Sequence, residues 1–567
     1  MGAGGGSPLS VIWHRRFSVR GVAAACAASL LCLSTLGAPL AMAKSDGSSG
    51  RQEGPQHDET RVVVMGSSSG HASGKVESHN GKVSEDLSVA DAVAADVTPE
   101  ELAALQADPD VVVVPNVTVE VTGKGDAAET APPSVFRDTT GASQLDKATG
   151  ANVTVAVLDT GIARMSEFGK RLKGGVDLSG EGDPFKDSYG HGTFVSGLIA
   201  GSGESSDGAY KGEAPGASLV SIKVAGATGS TDLVTVLKGV QWAITNKDAL
   251  KIGVLNISMG TPPFPSSVDN PLDRAVEAAW ASGIVVVTSA GNTGPGNGTI
   301  TSPGDDPLVI TVGAIDDHRT ATAADDTMTA FSAVGPTAVD GWFKPDLVAS
   351  GRSVISLRVP GSTIDLANPT ARIGTTNFVG TGTSFSAAIT SGAVAILRQR
   401  QPGWSPDRIK GALLAGAAPG PVGNPFVDGF GSLNVPNAAA VTAVLTQTAP
   451  TVATPPDSTV SLFVTGAGSA WNGSSWNGSS WNGSSWNGSA WNGSSWNGSS
   501  WNGSAWNGSA WNGSSWNGSS WNGSSWNGSA WNGSAWNGSS WNGSAWNGSS
   551  WNGSSWNGSS WNGSAWN

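Results

Sequence analysis

GTGTSFSAAITSGAVAIL, residues Gly380 to Leu397, sets a Ser at the point where a loop rich in Gly and Thr passes into an Ala-rich helix. A hydroxyl on Ser384 at that helix start lies beside backbone N–H groups without an intrahelical partner and beside the positive end of the helix dipole. That setting favours negative charge. Gly380 and Gly382 allow a second backbone to come close. Taken by itself, the stretch is equally the start of an ordinary helix capped by Ser. A nucleophile differs from a cap in needing a base, an orienting carboxylate and an oxyanion donor elsewhere in the chain.

Outward from this helix, short apolar runs alternate with helical ones from Gly150 onward. Strands are predicted over Val153 to Leu158, Leu219 to Val224, Val254 to Met259, Ile284 to Ser289 and Leu308 to Val312. Helices are predicted from His191 to about Ala200, over Asp232 to Thr245 and over Leu272 to Ala281, with another opening at Ser405-Pro406-Asp407. Strands that are apolar throughout, separated by amphipathic helices, imply an α/β fold with a mainly parallel sheet covered on both faces. Ligands of such sheets bind beyond the carboxyl ends of the strands, where Asp159, Ser258 and Asn292 fall.

The histidine inventory is short: His14, His57, His71, His79, His191 and His318. Only the last two lie in the α/β region, and His318 sits in the polar run Asp-Asp-His-Arg. His191, between Gly190 and Gly192 at a helix start, is by elimination the general base for Ser384. A carboxylate at a strand end fixes the imidazole tautomer and stabilises the imidazolium, and Asp159 fits that place. The side-chain amide of Asn292, with the backbone N–H of Ser384, is the candidate oxyanion donor; Asn after Gly at a strand end is equally a plain turn.

VAVLDTGI at Val155 to Ile162, GHGTFVSG at Gly190 to Gly197, SAGNTG at Ser289 to Gly294 and GTSFSAA at Gly382 to Ala388 resemble the four signature blocks of the subtilisin-like serine proteases, in that family's order of Asp, His, Asn, Ser. The likeness extends over roughly Thr139 to Asn437. It implies a three-layer subtilisin-like fold, the triad Asp159, His191 and Ser384, and Asn292 in the oxyanion hole. It also implies that Ser258, Met259 and Gly260 pair with substrate backbone and that Ser289, Ala290 and Gly291 line the pocket for the residue before the scissile bond. Lys344 to Ala349 is similar to a further family strand, and Thr98 to Val121 to the end of an inhibitory pro-segment. The family leaves room for structural calcium, although no oxygen-ligand loop assigns it and no cofactor is required. Phe385, Ser386 and Ala388 depart from the Met, Ala and Pro usual after the nucleophile, and Ser350 stands where Pro is common after Ala349. These changes bear on local packing and substrate preference.

The rest of the chain frames this domain. Its 567 residues carry a formal net charge of -13, which argues against nucleic acid and against a basic membrane-binding surface. The two cysteines, Cys26 and Cys32, fall inside an apolar run behind Arg15, Arg16 and Arg20 that ends in Ala41-Met42-Ala43, the layout of a secretory signal peptide over residues 1–43 or, uncleaved, of a membrane anchor. Cleavage there leaves no thiol in the mature protein. Residues 44–137 comprise a polar, mobile stretch to about Asp96 and a small α+β unit. That unit, either a pro-segment or an N-terminal subdomain, opens with a capping box at Thr98-Pro99-Glu100-Glu101, continues through a helix to Leu105 and ends in a strand over Val111 to Val114. The peptidase-like domain spans 138–440, and maturation falls between about Thr122 and Asp138.

A Pro/Thr linker, 441–470, leads to a low-complexity tail, 471–567, with Trp at every fifth position in WNGSS or WNGSA units. Five matches neither the helical nor the strand period, and Asn-Gly favours repeated turns. The tail reads as aromatic platforms for cell wall or glycan, or as a sticky spacer. The expectation is a secreted, monomeric serine endopeptidase made as a precursor and acting on protein or peptide substrates. The competing reading is a surface-binding protein with an inactive protease-like domain.

Overall fold

The computed structural model describes residues 59–126, 132–145, 147–263 and 266–441, together with the backbone of the strands between 470 and 566. The signal-peptide reading of 1–43 and the linker reading of 442–469 concern residues outside those described.

Residues 60–115 build a small sheet with two helices. In chain order these are β1 (Thr60–Met65), α1 (Ser69–Ser78), β2 (Lys82–Leu87), β3 (Ala92–Val97), α2 (Pro99–Ala107) and β4 (Val112–Pro115). The strands run antiparallel in the order β2-β3-β1-β4. The expectation of a mobile stretch up to Asp96 is therefore corrected from Thr60 onward. Strands β1 and β3 are buried on both faces: Val63, Met65, Ala92 and Ala94, with Leu87 of β2, join the core of the main domain, and Val62, Val64, Val93, Ala95 and Val97 pack with Ala72, Val76 and Leu105. Helix α1 is rich in Ser and Gly and buries only Ala72 and Val76, so its sequence carries almost no helical period. Helix α2 has the expected capping box, with Thr98 N donating to Glu101 Oε2 at 2.8 Å and Glu101 N to Thr98 Oγ1 at 3.3 Å.

Two short strands follow, β5 (Thr118–Val121) and β6 (Lys124–Gly125), and then the main domain. Its first half comprises β7 (Thr154–Asp159), β8 (Leu172–Asp177), α3 (His191–Ala200), β9 (Ser218–Lys223), β10 (Ser230–Asp232) and α4 (Leu233–Thr245). Next come β11 (Ile252–Ile257), β12 (Met259–Gly260), α5 (Pro271–Ala281), β13 (Val285–Ser289), β14 (Ile310–Asp316) and β15 (Thr327–Met328). The last part holds β16 (Leu347–Ser350), β17 (Val354–Leu357), β18 (Arg372–Ile373), β19 (Asn377–Thr381), α6 (Thr383–Arg400) and α7 (Pro406–Gly416).

The central sheet has the order β15-β14-β13-β11-β7-β9-β8, with β16 also on β14. Every pairing in it is parallel except β14 with β15. Helix α6 packs on β7, β11, β13, β14 and β16 and against α3, while α4 and α5 pack on each other and on β7, β9 and β13. The α/β class with a mainly parallel sheet between helical layers is what the fold presents. The strand predicted over Val254 to Met259 divides at Ser258 into β11 and β12.

Helix α6 is buried from Thr383 to Leu397. Its polar side chains are satisfied inside: Ser386 Oγ donates to Ala349 O at 3.0 Å, Thr390 Oγ1 to Ser386 O at 2.9 Å and Ser391 Oγ to Asn256 Oδ1 at 2.9 Å. Ala388, in place of Pro, leaves the helix unbroken. In the tail, the backbone forms parallel strands in which like residues pair, Trp471 with Trp491 and Asn472 with Asn492. In such a ladder identical units stack in register, backbone against backbone.

Candidate active site

Asp159 closes β7 and is fully buried. Its carboxylate takes the His191 Nδ1 contact at 2.8 Å through Oδ1 and at 3.0 Å through Oδ2, and Oδ1 also accepts from Thr160 N at 2.8 Å. His191 is the first residue of α3. Gly190 before it has φ 101°, a left-handed turn that aims the ring back over the strand ends. The opening of α3 is held by Asp187, whose buried carboxylate accepts from Gly190 N at 2.7 Å, Thr193 N at 2.7 Å and Thr160 Oγ1 at 2.8 Å. Burial pushes the Asp187 carboxyl upward against these bonds. His191 Nε2 is buried and has no hydrogen-bond partner among the described residues.

Ser384 is the second residue of α6, one later than the helix start expected for it. Its Oγ lies 3.0 Å from Ser258 O and 2.6 Å from Thr122 Oγ1. Asn292 is turned by its own oxygen: Oδ1 accepts from Thr383 N at 3.0 Å and from Thr383 Oγ1 at 2.9 Å. That leaves Nδ2 to donate to the Thr122 carbonyl oxygen at 2.5 Å. Asp159, His191, Asn292 and Ser384 thus converge, and the peptide group after Thr122 lies among them.

This peptide belongs to a segment threaded through the site. Strand β5 lies between β10 and β12 and is antiparallel to both, pairing Thr231 with Val119 and Met259 with Val121. Val121 N donates to Gly229 O at 3.2 Å and Thr122 N to Ser258 O at 3.2 Å. Beyond Thr122 the chain continues as β6 along β19, Lys124 against Thr381 and Gly125 against Gly380. Asp126 ends the run, accepting from Thr381 Oγ1 at 2.7 Å and Ser353 Oγ at 2.9 Å. A Cβ on Gly382 would meet Thr122 O at 2.5 Å and Gly123 Cα at 2.9 Å, so this glycine admits the second backbone expected near it.

Ser258, Met259 and Gly260 therefore border an extended chain, with β10 as the opposite border that the sequence reading missed. Ser289 Oγ lies 2.9 Å from Thr122 Oγ1. Ala290 packs with Ile300 and Ala333, and Gly291, with φ 107°, donates to Thr383 Oγ1 at 3.2 Å. His318 stays in its surface loop, with Nε2 3.0 Å from Thr327 Oγ1. The three-residue β10 has no apolar pattern, and Thr122 and Gly123 belong to no motif; the segment's role comes from backbone pairing that any sequence can make.

The small sheet docks on α4 and α5 beside this segment. Lys238 Nζ pairs with Glu85 Oε1 at 2.7 Å, Val89 N donates to Gln241 Oε1 at 3.2 Å and Val234 N to Asn116 Oδ1 at 3.0 Å. Behind the site, Glu213 is fully buried between α3 and α6. Its N–H donates to Leu198 O at 2.8 Å, and a Cβ on Gly392 of α6 would meet Glu213 Cβ at 2.5 Å. Burial pushes this carboxyl up to about 8, against a single bond from Thr140 Oγ1 at 2.7 Å. Among the described residues no three His, Cys, Asp or Glu side chains are grouped to hold a metal, and no helix is long and apolar enough to cross a membrane. Calcium thus stays without an assigned site.

The profile of the subtilase family matches residues 150–432. Serine protease AprX of Bacillus subtilis (strain 168) is 42% identical over 294 residues, covering 51% of this chain and 66% of that protein. Subtilisin NAT of Bacillus subtilis subsp. natto is 30% identical over 367 residues, covering 64% of this chain and 84% of that protein. In structure the chain is similar to fervidolysin from Fervidobacterium pennivorans, described as a keratinolytic enzyme related to subtilisin, with a TM-score of 0.53 at 22% identity over 69% of this chain and 62% of that one.

Proposed function

The chain belongs to the subtilase family, and from that premise we propose that it is a secreted serine endopeptidase made as a precursor, whose first substrate is its own Thr122–Gly123 bond. One observation carries the reading: the Thr122 carbonyl oxygen rests on Asn292 Nδ2 at 2.5 Å while Ser384 Oγ stands 2.6 Å from the hydroxyl of the same residue.

Ser384 Oγ attacks the Thr122 carbonyl carbon, and His191 Nε2 takes the hydroxyl proton. Asp159 holds the ring by Nδ1 and stabilises the imidazolium. The oxyanion is bound by Asn292 Nδ2 and the Ser384 N–H at the start of α6. Collapse breaks the bond to Gly123, whose nitrogen leaves with the proton from His191. Water, deprotonated by the same ring, then frees the Thr122 carboxylate from Ser384. In the precursor the Ser384 hydroxyl points to Ser258 O and Thr122 Oγ1, and it turns to His191 Nε2 for the attack. The chain up to Thr122, once cut, remains bound by the sheet pairings of β5 and inhibits until it is lost. Export rests on the pattern of residues 1–43, and no contact among the described residues supports the alternative of an inactive surface-binding protein.

The test is the secreted full-length protein and its Ser384→Ala variant, each treated with a fluorophosphonate serine-hydrolase probe and mapped. The expected result is label on Ser384 and a new N-terminus at Gly123 in the first, and neither in the second. A folded wild-type protein without label and without cleavage overturns the reading.

A further inference from the structure

Gly123 sits between two walls. A Cβ on it would lie 2.8 Å from His191 Nε2, 2.8 Å from Phe385 Cζ and 3.1 Å from Phe385 Cε1. Its φ is not positive, so side chains are excluded there by their surroundings and not by the backbone conformation. Neither wall has room to retreat. The His191 ring is fixed by its two contacts with Asp159. Phe385 is 2% exposed, with its ring centroid 4.4 Å from that of Phe194 and 5.6 Å from that of His191. Phe194 in turn abuts Phe378 edge-on at 6.5 Å. The slot holding Phe385 is itself cut by a glycine, because a Cβ on Gly380 would meet Phe385 Cε2 at 2.7 Å and Phe194 Cζ at 2.8 Å.

Building on the reading of Thr122–Gly123 as the bond held for cleavage, we propose that the subsite for the residue after the scissile bond accepts glycine and rejects side chains, with Phe385 as the wall that sets this preference. The enzyme then cuts before glycine in its substrates as it does in itself. His191 must keep its place for catalysis, so the space for any larger residue has to come from the Phe385 side. Replacing the ring by a flexible or smaller side chain opens the subsite.

Two readouts test this on the full-length protein and on the mature enzyme it releases. Conversion of the precursor is timed for wild type, Gly123→Ala and Gly123→Ala combined with Phe385→Ala. The single variant is expected to convert about tenfold or more slowly, the effect of one methyl forced into a packed site, and the double variant to recover most of that loss. Mature wild type, Phe385→Ala and Phe385→Met are then compared on peptides carrying the Thr118–Thr122 sequence followed by Gly, Ala or Val. The kcat/KM ratio of Gly to Ala is expected to be about ten or more in wild type and to fall several-fold in both variants. That ratio is taken within one preparation, so a partly misfolded variant still reports it. Wild-type ratios within about threefold of unity, or ratios that the Phe385 variants leave unchanged, overturn the proposal. A folded wild-type protein that cuts no peptide and takes no fluorophosphonate label overturns the peptidase reading and this inference with it.

Discussion

Glu213→Gln tests what a buried carboxyl between α3 and α6 does to stability. In the folded protein Glu213 keeps its proton up to about pH 8, whereas the ordinary value is 4.5. A raised carboxyl means that the folded state binds more protons than the unfolded one between those values, so its contribution is intact below pH 4.5 and is lost as pH rises toward 8. At ~1.36 kcal/mol per unit, the full loss is on the order of 5 kcal/mol above pH 8, about 3 kcal/mol at pH 7 and about 1 kcal/mol at pH 5. Glutamine cannot ionise and removes this slope. Its amide brings donors to a position where Glu213 Oε2 has no partner among the described residues, so a constant offset is expected as well. The slope, not the offset, is diagnostic. The measurement is urea unfolding by far-ultraviolet circular dichroism of full-length Ser384→Ala with and without Glu213→Gln, at pH 5 and pH 7. The free-energy difference between the two proteins is expected to move toward the Gln variant by about 2 kcal/mol over that interval. A difference that stays constant within about 0.5 kcal/mol would refute the reasoning, since additive effects elsewhere cancel to that extent.

Asn292→Ala removes the side-chain donor on the Thr122 carbonyl; turnover of mature enzyme on a peptide is expected to fall about 10² to 10³-fold with little change in KM, a range taken from a donor of this kind in a subtilisin. Asp346→Asn weakens the carboxylate that joins two buried ammonium groups, Lys344 at 2.7 Å and Lys410 at 3.0 Å. A loss of about 3 kcal/mol is expected at pH 6 in urea unfolding. Burial already lowers Lys410 to about 7, so between there and its ordinary 10.5 the folded state sheds a proton that the unfolded chain keeps, and the variant's loss should be smaller at pH 9. Thr98→Ala removes the side-chain acceptor of the capping box on α2 and leaves the bond from the residue 98 N–H to Glu101; it should lower the stability of the small sheet by about 1 kcal/mol, read as faster hydrogen exchange over Pro99–Ala107 in the uncleaved Ser384→Ala protein.

The main domain was legible because burial and special backbone geometry leave marks in sequence. Strand β7 is buried at all of its positions and α6 from Thr383 to Leu397, and both read as unbroken runs of small or apolar residues. The site residues were legible for a related reason. His191 needs Gly190 at φ 101° before it, and Ser384 follows a glycine that admits a passing backbone, so each carries its turn with it. The small sheet was half legible. Its α2 announces itself by Thr98 and Glu101, but α1 buries only Ala72 and Val76, and β2 leaves every residue but Leu87 at least partly exposed.

The threading of Thr118–Gly125 through the site left no such mark, and the reason is chemical. Strand β5 is held between β10 and β12 by N–H and C=O groups that every residue owns, so its sequence need encode only an extended chain. The departure at Phe385 was visible, but its meaning depended on Gly123, brought against it from the segment that precedes the domain. The borders that hold Thr118–Val121 do so through backbone groups, so they are equally blind to the sequence of any extended peptide that adds itself as a strand. Selectivity is then confined to the few places where side chains of the threaded chain meet walls: Val119, fully buried; Thr122, against Ser289 and Ser384; and Gly123, where the wall leaves room for no side chain.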